Sequence, residues 1–252
     1  MAKVNFLWNN LWRSGTIYDP SSEQVSFPAE ASQHIWRTYP WRSGVASSDS
    51  EQYLCVDLLT AKTCTTIALL NHNFSPTAVI TLKGSDSSTF TSSTDITLSY
   101  AAGNIFYVGS ANTFRYWKVS VLDVDNTFGY IQIGYVMLGT PLEFSRDCSQ
   151  GWSQRKVDPS TVIYSDGGVP SSLKRSKYVE VNLPFRYMTA ADWALASAMF
   201  DSIGTTEGCL VLLDYANHLY DWTWYMNLSS LPEMPMNVMD FYEWTLSFRE
   251  NL

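Results

Sequence analysis

The chain has 252 residues, of which 46% are apolar, 15% aromatic and only 16% charged. A chain this apolar can bury enough surface to offset its ordering entropy, which excludes disorder. The net charge of -8 argues against nucleic-acid recognition, which needs a basic stripe; no apolar run approaches the roughly 18 residues of a membrane-spanning helix, so no membrane insertion is expected.

Near the start, Asn5, Asn9 and Asn10 stand where a secretory leader would have its apolar run, so no leader is expected. Trp8 and Trp12, at i and i+4, read as packing into the edge of a core. Pro40–Gly44 is turn-like. Among Trp8, Trp12, Trp36 and Trp41 it is therefore Trp41 that is the best candidate for exposure and for stacking on a sugar face, though core or subunit contact is placed ahead of sugar binding.

A run of short strands follows: Tyr53–Leu58, Cys64–Leu70, Ala78–Lys83, Phe114–Leu122 and Tyr130–Leu138, rich in β-branched and aromatic residues. In Arg115–Val121 the alternation puts Tyr116, Lys118 and Ser120 on one face and Arg115, Trp117, Val119 and Val121 on the other. Polar stretches such as Gly84–Asp95 separate the runs. Strands with polar loops and no helix signal predict a sandwich or jelly roll.

After Leu138 the chain becomes rich in Ser, Gly and Pro, with one candidate strand at Thr161–Tyr164 and a small basic cluster at Lys174–Lys177. The domain boundary is placed at residue 145, giving domains 1–145 and 146–252. The second opens on the strand Tyr178–Leu183. A helix is predicted over 189–203: Thr189 is its N-cap, Asp192 the third residue of a capping box, and Gly204 its end. Three strands follow, Leu210–Leu213, Tyr220–Asn227 and Phe241–Phe248. Tyr220, Trp222, Trp224 and Met226 alternate on one face, where an ordinary core and a subunit interface compete. Two prolines in Leu231–Met236 forbid a regular central strand, leaving an arm or a plain loop.

Catalysis finds little support. The three histidines, His34, His72 and His218, lie far apart, and no G-x-S-x-G elbow occurs. Asp57, Asp123, Asp125, Asp214, Asp221 and Glu243 lie near strand ends, but nothing selects the pair, about 5 to 9.5 Å apart, that a glycosidase needs. Asp123–Gly129 has a weak calcium-loop look, better explained as a polar turn, so no metal and no cofactor is expected. Cys55, Cys64, Cys148 and Cys209 form no CxxC; they read as free packing thiols, with a Cys55–Cys64 bridge left open.

The order Trp41-Arg42-Ser43-Gly44, Tyr53–Leu58, Thr66–Leu70, Phe114–Val119 and Tyr130–Gly139 resembles the discoidin-like (F5/8 type C-like) jelly roll over about 40% of the chain. That resemblance implies glycan or lipid-headgroup binding through loops at one barrel end. Trp41, Arg42, Asp123 and Asp125 are the candidate ligand-binding residues. The helix 189–203 with Gly208–Asp214, Trp222–Met226 and Trp244–Glu250 resembles the β-sandwich-plus-helix units of siphophage tail-tube and tail-tip proteins. It implies a mainly β chain, a jelly-roll sandwich followed by an α+β tail-tube-like sandwich. The implied protein is a non-enzymatic structural component of a phage tail tip or baseplate. Its partners would be other copies of itself in a ring, neighbouring tube and hub proteins, and a host-surface glycan; Tyr220, Trp222, Trp224 and Met226 would be interface candidates. Its place would be the virion, after assembly in the host cytoplasm. A carbohydrate-binding host-attachment module is the alternative, and a hydrolase acting on a surface polysaccharide a more distant one.

Overall fold

A computed structural model describes residues 3–44, 50–233, 235–238 and 241–251. In chain order its strands are β1 (Asn5–Leu7), β2 (Thr16–Tyr18), β3 (Trp41–Arg42), β4 (Gln52–His72), β5 (Val79–Ser85), β6 (Thr94–Leu98), β7 (Asn104–Leu122), β8 (Gln132–Gly139) and β9 (Leu142–Glu143). They continue as β10 (Ser153–Val157), β11 (Thr161–Tyr164), β12 (Pro170–Leu173), β13 (Tyr178–Met188), β14 (Gly208–Leu212), β15 (Thr223–Leu228), β16 (Met236–Val238) and β17 (Phe241–Glu250). The helices are the single turns α1 (Leu11–Ser14) and α3 (Tyr215–His218) and the longer α2 (Ala190–Ile203). The protein is mainly β, as the sequence predicts.

The chain forms two compact units, one of residues 9–141 with 218–221, the other of 1–8, 142–217 and 222–252. A boundary at 145 between two continuous domains therefore misses two features: residues 218–221 group with the first unit, and β1 pairs with β14 (Phe6↔Val211) and with β9, inside the second. Three residues are too few to show a period, so nothing local in the sequence marks β1 as belonging there.

The first unit is a jelly-roll sandwich. The two strands read from the sequence as Tyr53–Leu58 and Cys64–Leu70 are one strand, β4, which pairs along its length with β7. Register shifts between Asp57 and Lys62, and between Cys64 and Thr66, bend the pair. Before the bend β4 has β2 on its free edge; after it, β8. One long strand can thus serve both layers, because a bulge kinks a strand without ending it. The alternation read in β7 holds for Trp117, Val119 and Val121, which sit in the core with Trp12, Trp41, Leu54, Ile67 and Ile133, but not for Arg115, whose guanidinium lies over Tyr116 and bonds Asp57. Trp12 is fixed by its own turn, since the Asn10 side chain caps α1 by accepting from the Trp12 N–H. Trp8 does not join it; it packs against the core of the second unit.

The second unit is built on an antiparallel sheet, β10-β13-β17-β15-β14-β1-β9, with β16 beside β17. Helix α2 adds Ala196, Met199, Phe200 and Ile203 to its core. The predicted capping box is present: Thr189 Oγ1 accepts from the Asp192 N–H, and the Asp192 carboxylate takes the Thr189 N–H at 3.0 Å. The same carboxylate accepts the Ser145 N–H at 2.7 Å and its hydroxyl at 2.6 Å, so the helix start is tied to the chain entering the unit. At the centre Phe6, Phe144, Phe185 and Phe248 pack ring on ring, 5.2 to 6.2 Å apart. Among the described residues the hairpin β11–β12 pairs only with itself.

Candidate glycan-binding rim

The structure moves two of the four candidate ligand residues indoors. Trp41 has 0% exposure and lies in the jelly-roll core, its indole N–H donating to the Ser22 carbonyl at 3.1 Å. A turn-like sequence predicted exposure, but β3 pairs Trp41 with Ile133 and turns the ring inward. Asp123 is also buried; its carboxylate takes the Ser75 N–H at 2.8 Å and the Ser75 hydroxyl at 2.5 Å. Donors from protein already surround it, so it organises a turn. Asp125 is exposed and accepts from the Thr77 hydroxyl at 2.6 Å.

Arg42, the fourth, is the centre of a surface cluster. Its backbone is clasped on both sides. Arg42 pairs with Gln132 of β8, and the strap Gln24–Phe27 bonds its other edge, through Gln24 N–H to Arg42 O and Arg42 N–H to Phe27 O. Consequently the guanidinium carbon lies 4.0 Å from the Phe27 ring centre and 4.7 Å from that of Tyr130. Arg42 Nε donates to Gln132 Oε1 at 3.0 Å.

The rings continue in both directions. Phe27 meets Tyr39 at 6.2 Å, Tyr39 meets His34 at 6.4 Å, and His34 stacks on Trp36 at 6.4 Å. On the other side Tyr130 meets Phe128 at 6.3 Å. Trp36 is 69% and Phe128 63% exposed, against a usual burial of such rings. Trp36 carries a sequence signal, as one of the four tryptophans near the start of the chain, but its surroundings are less turn-like than those of Trp41. Phe27, Tyr39, Tyr130 and Phe128 carry no local signal, because three separate segments bring them together.

Polar side chains hold these segments in place. Asn73 donates to the Tyr130 carbonyl and accepts the Gln132 N–H, both at 2.8 Å. Asn126 donates to the Asn73 carbonyl at 3.1 Å, and the Asp123 turn supports Asn126. The Asn71 side chain, on a residue with φ +57°, donates to the Arg37 carbonyl at 2.7 Å. A Cβ on Gly134 would come within 2.8 Å of both that carbonyl and Asn71, so the close approach of the Trp36–Tyr39 segment to β8 requires glycine here. Behind it His72 lies flat on Phe74 (4.4 Å); its Nδ1 accepts the Phe74 N–H, which leaves Nε2–H to donate to the Ala101 carbonyl. Burial is the largest influence on this imidazole and pushes its pKa below the ordinary value.

Other chemistry-bearing residues are occupied. Asp57 takes two bonds of 2.7 Å from Arg115, whose guanidinium holds its carboxyl below the usual range. Asp214 is buried and accepts from Asn217. Cys55, Cys64, Cys148 and Cys209 are free, and burial pushes the Cys55, Cys64 and Cys209 thiols up to about 12.

The proposed interface set in the second unit also changes. Trp224 and Met226 point into its core, and Trp222 packs edge-on against Trp152 at 5.7 Å. Tyr220 precedes β15, groups with the jelly-roll unit and is half-exposed, its hydroxyl facing the Ser99 and Phe106 carbonyls. Of Leu231–Met236, Met234 lies outside the described residues. A cluster of exposed apolar residues in this unit lies elsewhere, on the hairpin: Val162, Ile163, Tyr164, Val169 and Leu173 are 52 to 68% exposed.

No family model matches the chain, and no curated protein matches it. Among solved structures it is similar to chitosan-binding module 1 of a chitosanase/glucanase from Paenibacillus sp. IK-5 (23% identity, TM-score 0.45), covering 52% of this chain and 99% of that one. Module 2 of the same enzyme, in complex with chitotriose, has 13% identity, a TM-score of 0.44 and coverages of 52% and 100%. The family 32 carbohydrate-binding module of Clostridium perfringens NanJ, in complex with galactose, has 16% identity, a TM-score of 0.42 and coverages of 54% and 98%.

Proposed function

We propose that this chain is a non-catalytic glycan-binding protein whose site is the rim around Arg42. One observation carries this: the row Trp36, His34, Tyr39, Phe27, Arg42, Tyr130, Phe128, linked by steps of 4.0 to 6.4 Å. A pyranose offers an apolar C–H face and an equatorial ring of hydroxyls. Exposed rings take the face, and the Arg42 guanidinium and Gln132 amide take hydroxyls. A glycan array probed with the full chain tests this. Trp36→Ala and Tyr130→Ala are each expected to weaken the retained sugar by about tenfold or more, the effect of losing an aromatic anchor. A chain that retains no glycan, or variants that bind like the parent, would overturn it.

The hairpin favours a second reading, self-association, compatible with the first. A two-stranded hairpin is marginal in water, and this one leaves apolar side chains on both faces. Residues 153–177 hold five basic and two acidic residues, whereas the rest of the chain holds 11 and 22. A basic apolar arm on an otherwise acidic chain fits a second copy of that chain. Ring assembly at a phage tail tip, beside tube and hub proteins, is the specific form of this reading, with the virion as its location. Native mass measurement should give an oligomer that Ile163→Ser with Tyr164→Ser reduces to monomers. A parent chain that stays monomeric at high concentration counts against self-association, and absence of the chain from purified particles counts against the tail-tip form.

A further inference from the structure

We propose that the rim takes a carboxylated sugar and that Arg42 pairs with its carboxylate; this rests on the glycan reading above. The molecule contains its own comparison. Arg115 also lies over a tyrosine, 4.8 Å from the Tyr116 ring centre, and there an internal acid, Asp57, closes the site with two parallel bonds of 2.7 Å. Arg42 has the same aromatic setting, but the residue opposite it is the neutral Gln132. Among the described residues no carboxylate pairs with Arg42. Glu23, just before that strap, accepts the Ala29 N–H at Oε2, at 2.8 Å.

The consequence is a half-buried guanidinium fixed in orientation, with Nε bound to Gln132 and its terminal nitrogens unspent. A partly desolvated cation without an acid is a costly state that an anion relieves more than a neutral hydroxyl does. The planar fork matches a carboxylate, and two flanking rings have already restricted its rotamers, so little further entropy is lost on binding. The flanking rings, Phe27 and Tyr130, lead away on both sides to take the sugar faces. Two kinds of sugar offer this chemistry: a uronate within a polymer and a terminal sialate.

Calorimetry on the full chain tests it at low ionic strength. Trigalacturonate is compared with its methyl ester, which keeps the stereochemistry and removes the charge, and sialyllactose with lactose. At least one acid is expected to bind about tenfold or more tighter than its neutral counterpart, as a charge-assisted bidentate contact provides. The pair that shows the preference identifies the source. Arg42→Gln should abolish the preference, so that the acid and its neutral counterpart bind the variant alike. Equal affinity within both pairs overturns the carboxylate assignment and leaves the glycan site standing. No binding of any of the four, together with a blank array, overturns both. Because the ester and lactose arms alter the ligand and not the chain, misfolding of the variant cannot imitate either result.

Discussion

The two units expose apolar surface in different forms. The jelly roll exposes rings in a row, interleaved with one arginine and backed by asparagine side chains that hold three segments in register. The second unit exposes aliphatic residues and a tyrosine on a hairpin that no other strand supports, flanked by lysine and arginine. The first arrangement is rigid and chemically specific, as a small-molecule site must be. The second offers backbone edges and apolar area, as an assembly contact does. On the two proposed readings, one low-charge composition would serve two kinds of partner, and the way the backbone is braced would distinguish them.

The largest expected effect separates buried from exposed tryptophan in the jelly roll. Trp117→Ala empties a core position and should cost about 3–5 kcal/mol in chemical denaturation. An effect below 1 kcal/mol would mean that the sandwich core is drawn wrongly. In the second unit, Asp192→Ala removes four hydrogen bonds that join the helix start to Ser145 and Thr189. A loss of about 1–3 kcal/mol is expected, with reduced helical signal on heating.

The same carboxyl gives an acid limb to stability. Burial raises its pKa, but the bonds from Ser145 and Thr189 outweigh burial and hold it below the ordinary 3.8. Its contribution is complete above that value and is lost as pH falls through the lowered one. The jelly roll should respond at milder pH. His72 is held neutral by burial, its pKa lowered from 6.5. Its contribution is complete above 6.5 and shrinks as pH falls from there through the lowered pKa. Denaturation midpoints measured from pH 8 to pH 5 should decline in the parent and decline less in His72→Gln; equal slopes would refute it. The smallest stability effect belongs to Trp36→Ala, within about 0.5 kcal/mol because the ring is exposed, even though the substitution should weaken glycan binding. A large loss of stability there would turn the rim from a site into a piece of core.

Much of the fold was legible. The Thr189–Asp192 box and Gly204 bound α2 because capping is local chemistry over a few residues. The alternation of Trp117, Val119 and Val121 gave the buried face of β7 because a strand's period is fixed by its backbone. The site was legible only in part. Arg42 was found, while Trp41 was preferred to Trp36 because composition around a tryptophan does not show which way a two-residue strand turns it.

By itself, then, the sequence determined that the chain is mainly β, low in charge, and provided with one capped helix. Period, capping and turn chemistry are properties of neighbouring residues, and they survive without a fold. The tertiary structure decided what depends on residues far apart in the chain. It joined Gln52–His72 into one bent strand and gave Asn5–Leu7 to the second unit. It turned Trp41 inward, and it set Arg42 between Phe27 and Tyr130 with a glutamine where Arg115 has an acid. No local pattern encodes such a meeting, because strand pairing is what brings positions 27, 42 and 130 together.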